Sequence, residues 1–146
     1  IGMRSADRGI ERHYRIGPAQ RGYDDPSYEL RIESFNGVGL RPYAPAHLRA
    51  RADGTDLKVT WVRRTRIEGD EWGWGDVPMG EPREHYLLQV VVGGIVMREE
   101  LLDAPQFSYS QSARASDGTT GIYEIRVAQI SERYGPGLFV DIVLGV

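Results

Sequence analysis

Two stretches of alternating apolar and polar residues set the limits on what this chain can fold into: Leu57-Lys-Val-Thr-Trp-Val and Tyr123-Glu-Ile-Arg-Val-Ala-Gln. A side-chain period of two marks a strand with one buried face. Trp61 and Tyr123 are the largest side chains on the apolar side of each run. A buried Trp on one strand and a Tyr opening another predict two packed sheets, a β-sandwich. Such scaffolds serve recognition or spacing more often than catalysis, so function is sought in the loops.

The rest of the chain supports several short strands separated by turn residues. Leu48 to Ala52 leads through Asp53-Gly54 into the Trp61 strand, Leu57 to Arg64. Glu84 to Val92 places Tyr86, Leu88 and Val90 on one face, and Gly93-Gly94 turns it into Ile95 to Leu101. Phe107 and Tyr109 mark a short strand, Gly121 to Ile130 carries Tyr123, and Leu138 to Leu144 follows the turn Gly135-Pro136-Gly137. Seven strands of this kind satisfy a sandwich. The best helical candidate, Ser110 to Ser116, is too short and polar to stand alone.

Residues 1–41 differ. They are polar, rich in Arg and Gly, and read as an extended arm with one strand near 28–35, where Tyr28, Leu30 and Ile32 alternate with charges. Pro42 and Pro45 open the main domain, 42–146, which carries a long insertion near 65–83.

Composition removes several function classes. An apolar content of 40% supports a real core. The net charge of -3 gives no global footprint for nucleic acid. Without cysteine there is no disulfide, thiolate metal site or cysteine nucleophile. The longest apolar run, Tyr86 to Val92, is far short of a membrane span. The first residues lack the apolar core of a signal peptide and an initiator Met, so the chain reads as a piece of a longer protein.

The order Pro42, Pro45, Leu48, then Leu57-Lys-Val-Thr-Trp61, Tyr86-Leu-Leu-Gln-Val90, Tyr123-Glu-Ile-Arg-Val127 and Gly135-Pro-Gly137 resembles a fibronectin type III domain. The resemblance implies an all-β, immunoglobulin-like seven-stranded sandwich, with the arm and one extra strand before it. Two departures concern loops: the segment from Thr65 to Arg83 is long for the family, and Ser110 to Thr120 lacks the leucine that usually precedes its tyrosine.

A narrower resemblance reaches into the arm. Arg15-Ile-Gly-Pro-Ala19, Tyr23-Asp-Asp-Pro26, residues Gly39 to Arg49, Trp61 to Asp70 and Val127-Ala-Gln-Ile-Ser131 are similar to the carboxyl-terminal part of tail-tip hub ("host specificity") proteins of gene transfer agents and related siphophages. That resemblance implies a place in the baseplate of a virion-like tail after synthesis in the bacterial cytoplasm. It also implies partners among other tail-tip proteins, and contact with host-surface polysaccharide.

The candidate ligand-binding residues lie in the insertion. Trp72 and Trp74, two apart, point to one side if the segment forms a ribbon, which makes a platform for a sugar ring or a partner; the alternative is that they fold back onto an end of the sandwich. Arg63, Arg64 and Arg66 can engage phosphates or acidic glycans, or be neutralised by Glu68, Asp70, Glu71 and Asp76. That acidic group lacks the ligand alternation of a calcium loop. His13, His47 and His85 have no metal or triad spacing, and Asp24-Asp25-Pro26 reads as a turn. No catalytic motif, metal site or cofactor site is evident. The expectation is a non-catalytic structural and recognition module of a tail tip, with no nucleic acid and no membrane insertion. The alternative is a fibronectin-like spacer or targeting domain of a secreted glycan-degrading enzyme.

Overall fold

The computed structural model describes residues 5–66 and 78–145, which fall into two compact units, Ile1–Gly39 and Leu40–Val146. The first unit is built on an antiparallel hairpin of β1 (Glu11–Ile16) and β2 (Glu29–Ser34), in the register His13 to Ile32 and Arg15 to Leu30. The sequence shows only the second of these strands. Glu11, Arg12, His13 and Arg15 put polar groups on both sides of β1, which erases the period-2 signal, while backbone pairing needs no such pattern.

The connection between them is folded on itself. The Tyr28 hydroxyl donates to the carbonyls of Pro18 (2.9 Å) and Arg21 (3.2 Å), and its ring lies against Tyr23. Asp25 accepts from the backbone N–H and hydroxyl of Ser27, which hold its carboxyl below the usual range and make the turn expected there. Tyr14 and Phe35 meet edge to face at 6.1 Å. Every residue of β1 and β2 other than Tyr14 is exposed.

The second unit is the sandwich. One sheet has the order β3 (Ala46–Asp53), β4 (Asp56–Val62), β7 (Gln106–Tyr109). The other has the order β10 (Val140–Leu144), β8 (Tyr123–Ser131), β5 (Tyr86–Val92), β6 (Ile95–Leu102), and the two-residue β9 (Gly135–Pro136) pairs with the end of β8. All pairings are antiparallel. The core lies between the sheets: Val59, Trp61 and Tyr109 from the first meet Tyr86, Leu88, Val90, Tyr123, Ile125 and Val127 from the second. Full burial of each aliphatic or aromatic side chain is worth about 1.5–3 kcal/mol. Trp61 packs edge to face on Tyr86, ring centres 5.2 Å apart.

β5, which lies between β6 and β8, is buried on both faces. On its outer side Leu87 is covered between Leu101 and Ala128, and Gln89 is clamped by hydrogen bonds to Glu99 (2.6 Å) and Arg126 (2.7 Å). Gly93 and Gly94, at φ 57 and 82, form the two-residue turn from β5 to β6, which needs positive φ at both positions. The Gly135-Pro136-Gly137 turn does more than reverse the chain. A Cβ on Gly137 would stand 2.6 Å from the Pro42 carbonyl oxygen, so glycine permits the approach of two backbones.

α1 (Gln111–Ser116) forms despite its length. The Ser110 hydroxyl accepts from the Ala113 N–H at 3.2 Å as an N-cap. Arg114 donates to the Thr55 carbonyl, and the Gln111 N–H donates to Asp56 at 3.0 Å, so the β3–β4 turn anchors the helix.

Candidate functional site

The arginines that follow Trp61 leave the sandwich where β4 ends. Arg63 donates to Glu84 at 3.2 Å, and the same carboxylate accepts the Tyr86 hydroxyl at 2.6 Å. Arg66 donates to Glu81 at 3.1 Å, and Glu81 is buried. Arg64 is exposed, its guanidinium 5.1 Å from the centre of the Tyr43 ring. The structure therefore brings Arg63 and Arg66 together with Glu84 and Glu81, at the far end of the insertion, and sends Arg64 elsewhere. Trp72 and Trp74 lie outside the described residues, as do Glu68, Asp70, Glu71 and Asp76. Burial, followed by the bond to Glu84, pushes the Tyr86 phenol well above its ordinary range.

A second polar cluster was not legible in the sequence. Asp117, buried at the C-cap of α1, accepts from Arg98 Nε (2.6 Å), Arg98 Nη2 (3.2 Å) and the Tyr109 hydroxyl (2.7 Å). Arg98 also donates to Glu100 at 2.8 Å. Burial works to raise the Asp117 carboxyl, but the bonds from Arg98 and Tyr109 outweigh it and hold the group below its ordinary value. Burial and Asp117 together push the Tyr109 phenol up. The cluster joins β6 of one sheet to β7 of the other, so its chemistry is that of a fastener. An Asp before a Gly reads locally as a turn; Arg98 comes to it only through the fold.

The histidines stand apart. His85 Nε2 is 3.1 Å from Asp103, and His47 sits at φ 54 in a bulge of β3 between Ala46 and Arg49. Among the described residues no group of three His, Asp or Glu side chains is placed to hold a metal ion. No helix among them is long and apolar enough to cross a membrane.

A concavity of ≈ 500 Å³ lies on the outer face of the three-stranded sheet and is lined by Arg49, Arg51, Ala52, Asp53, Lys58 and Thr60. No sequence motif marks it, because each of these residues alone is an ordinary outward position of an alternating strand.

No protein-family model matches the chain, and neither does any curated protein. Among solved structures, the Clostridium perfringens spore cortex lytic enzyme SleM matches 82% of this chain over 33% of the enzyme, with a TM-score of 0.49 and 13% identity. Domains d3-d4 of the rat CD45 extracellular region match 100% of this chain and 68% of their own length, with a TM-score of 0.52 and 15% identity. At that identity the likeness to these fibronectin-type domains speaks for the fold alone: the chain is an all-β protein with a fibronectin type III, immunoglobulin-like sandwich.

Proposed function

We propose that this chain is a non-catalytic structural and recognition module of a phage-like tail tip, holding baseplate partners and contacting host-surface polysaccharide. The observation that carries the reading is the sequence likeness to tail-tip hub proteins, which spans both the sandwich and the Arg15–Ala19 and Tyr23–Pro26 stretches of the first unit. The geometry agrees in kind. A sandwich closed by the Trp61–Tyr86 core is a rigid platform, and a hairpin with both faces exposed offers a surface for a neighbouring tail protein. Trp72 and Trp74, which lie outside the described residues, are the first choices for sugar stacking.

Immunogold labelling of purified tailed particles with an antibody to this chain tests the placement. Gold at the distal tail end is expected. Secretion of the chain with a glycan hydrolase, and no label on particles, would replace this reading with that of an enzyme's accessory domain. The aromatic platform is tested separately by Trp72→Ala/Trp74→Ala: unchanged cell binding by a folded variant removes it.

A further inference from the structure

We propose that the outer face of the three-stranded sheet is a binding site for an acidic polysaccharide, carried by Arg49, Arg51 and Lys58 with Thr60, Gln106 and Ser108. The register defines the site. Arg49 lies opposite Thr60 and Arg51 opposite Lys58 across β3 and β4; Lys58 lies opposite Ser108 and Thr60 opposite Gln106 across β4 and β7. Residues directly opposed in an antiparallel pair share a face. Leu48, Ala50, Val59 and Trp61 go into the core, so these six point outward.

Two features of the face ask for an anion. Arg51 and Lys58, the chain's only lysine, are directly opposed, and like charges so placed destabilise a sheet. Among the described residues, neither their side chains nor that of Arg49 makes a hydrogen bond or ion pair, a state shared with Arg15 and Arg41, whereas Arg12, Arg21, Arg31, Arg63, Arg66, Arg83 and Arg98 are all paired with carboxylates. A protein of net charge -3 thus gathers three unpaired cations on one sheet face.

The shape points to a chain-like ligand. The ≈ 500 Å³ concavity shares Asp53 and Lys58 with a second of ≈ 270 Å³ that includes Gln106 and Ser108. It shares Arg49 and Thr60 with a third of ≈ 300 Å³ that includes His47 and Val62. The result is a trough running along β3 and β4 and spreading onto β7, open on its outer side, with Asp53 the acidic residue among those that line it. The bulge at His47 bends β3 at one end of the trough, as bulges beside binding sites do.

The outward side chains decide between polymers. They supply hydroxyls and an amide for sugar hydroxyls; of the rings that line the trough, Trp61 and Phe107 belong to the core and His47 stands at one end, so the described residues offer no row of rings on which successive bases could stack. Cations about 7 Å apart along a strand suit carboxylates or sulfates carried on successive sugars. The choice of a saccharide rests on the recognition reading above, but the assignment does not depend on where the chain is assembled.

Titration of the full chain with heparin, polygalacturonate, neutral dextran and duplex DNA tests the site. Binding to heparin, polygalacturonate or both is expected, weakening with salt, with dextran unbound. The arm that binds identifies sulfate or carboxylate. Arg51→Glu/Lys58→Glu should weaken binding about tenfold or more, while Arg12→Glu/Arg31→Glu, with the same change in net charge, should leave it intact. Lys58→Glu alone, which sets a carboxylate opposite Arg51, should keep or raise the melting temperature as binding falls, separating lost recognition from lost fold. Binding of neither acidic glycan, binding insensitive to the Arg51/Lys58 reversal, or DNA bound as tightly as the glycans would overturn the proposal. Loss of glycan binding in Trp72→Ala/Trp74→Ala with the Arg51/Lys58 reversal silent would overturn it too, leaving the insertion as the site.

Discussion

Arg98 and Asp117 are joined by two parallel hydrogen bonds, Nε to Oδ2 at 2.6 Å and Nη2 to Oδ1 at 3.2 Å, which hold an edge strand of one sheet to the short helix that follows the edge strand of the other. A forked guanidinium–carboxylate pair fixes direction as well as distance. Replacing Asp117 with Ala leaves the Tyr109 hydroxyl without this acceptor and Arg98 with Glu100 alone. We expect a loss of about 2–3 kcal/mol by urea denaturation, below the cost for a wholly buried charge because Arg98 keeps a partly exposed side. Arg98→Ala should cost a similar amount, and the double variant less than the sum of the two. Additive losses would mean that the pair acts through unrelated contacts.

The same pair predicts an acid limb of stability. The folded Asp117 carboxyl lies below its ordinary value of 3.8. Its contribution is therefore complete above that pH and is lost as pH falls through the lower folded value. Asp117→Asn should flatten the stability curve in that acid range and leave its slope near neutrality unchanged. An unchanged acid limb would place the titration on other carboxylates.

At the alkaline end the tyrosines separate. Tyr86 and Tyr109 both have phenols raised above 10.0, by burial and then by bonds to Glu84 and Asp117. The neutral phenols favour the folded state fully below that pH, and the contribution drains away as pH rises towards the folded values. Ultraviolet difference titration should show these two of the 8 tyrosines ionising only with unfolding.

Trp61 should be the costliest single core position. It is 4% exposed and lies against Tyr86. Trp61→Ala is expected to cost about 3–5 kcal/mol and Trp61→Phe appreciably less, measured as shifts in denaturation midpoint at constant slope.

Gly137→Ala tests a backbone contact in place of a side-chain one. With the Pro42 carbonyl oxygen 2.6 Å and the Gln129 oxygen 3.2 Å from the new methyl, backbone has to move. A loss of about 1–3 kcal/mol is expected by thermal unfolding. Gly121→Ala, whose Cβ meets nothing within 4 Å, serves as the comparison.

The parts of the fold legible in the sequence were those where one face is buried. Val59, Trp61, Tyr123, Ile125 and Val127 alternate because burial selects them, and Tyr86 to Val92 is apolar but for Gln89 because β5 is buried on both faces. β1 was not legible, since a ribbon that buries almost nothing places no demand on Glu11 to Arg15. α1 owes its existence to Ser110, to anchors on Thr55 and Asp56, and to Asp117's place over the sheets, and most of these are distant in sequence. Of the candidate site, the arginines were visible but their partners Glu81 and Glu84 were not, being set by how the chain returns to β5. The basic face was hidden for a different reason: Arg49, Arg51 and Lys58 converge only once β3 and β4 are in register.

The ion pairs at the base of the insertion have a further consequence. Arg63–Glu84 and Arg66–Glu81 are successive rungs between the segment that follows β4 and the one that leads into β5. Whatever sequence runs between residues 66 and 81 departs and returns through fixed points, and changing a loop's length costs little once its ends are held, about 0.6 kcal/mol per doubling. The scaffold is thus insulated from the segment between these rungs: a different loop could be spliced onto them, and binding could diversify without a single core residue having to change.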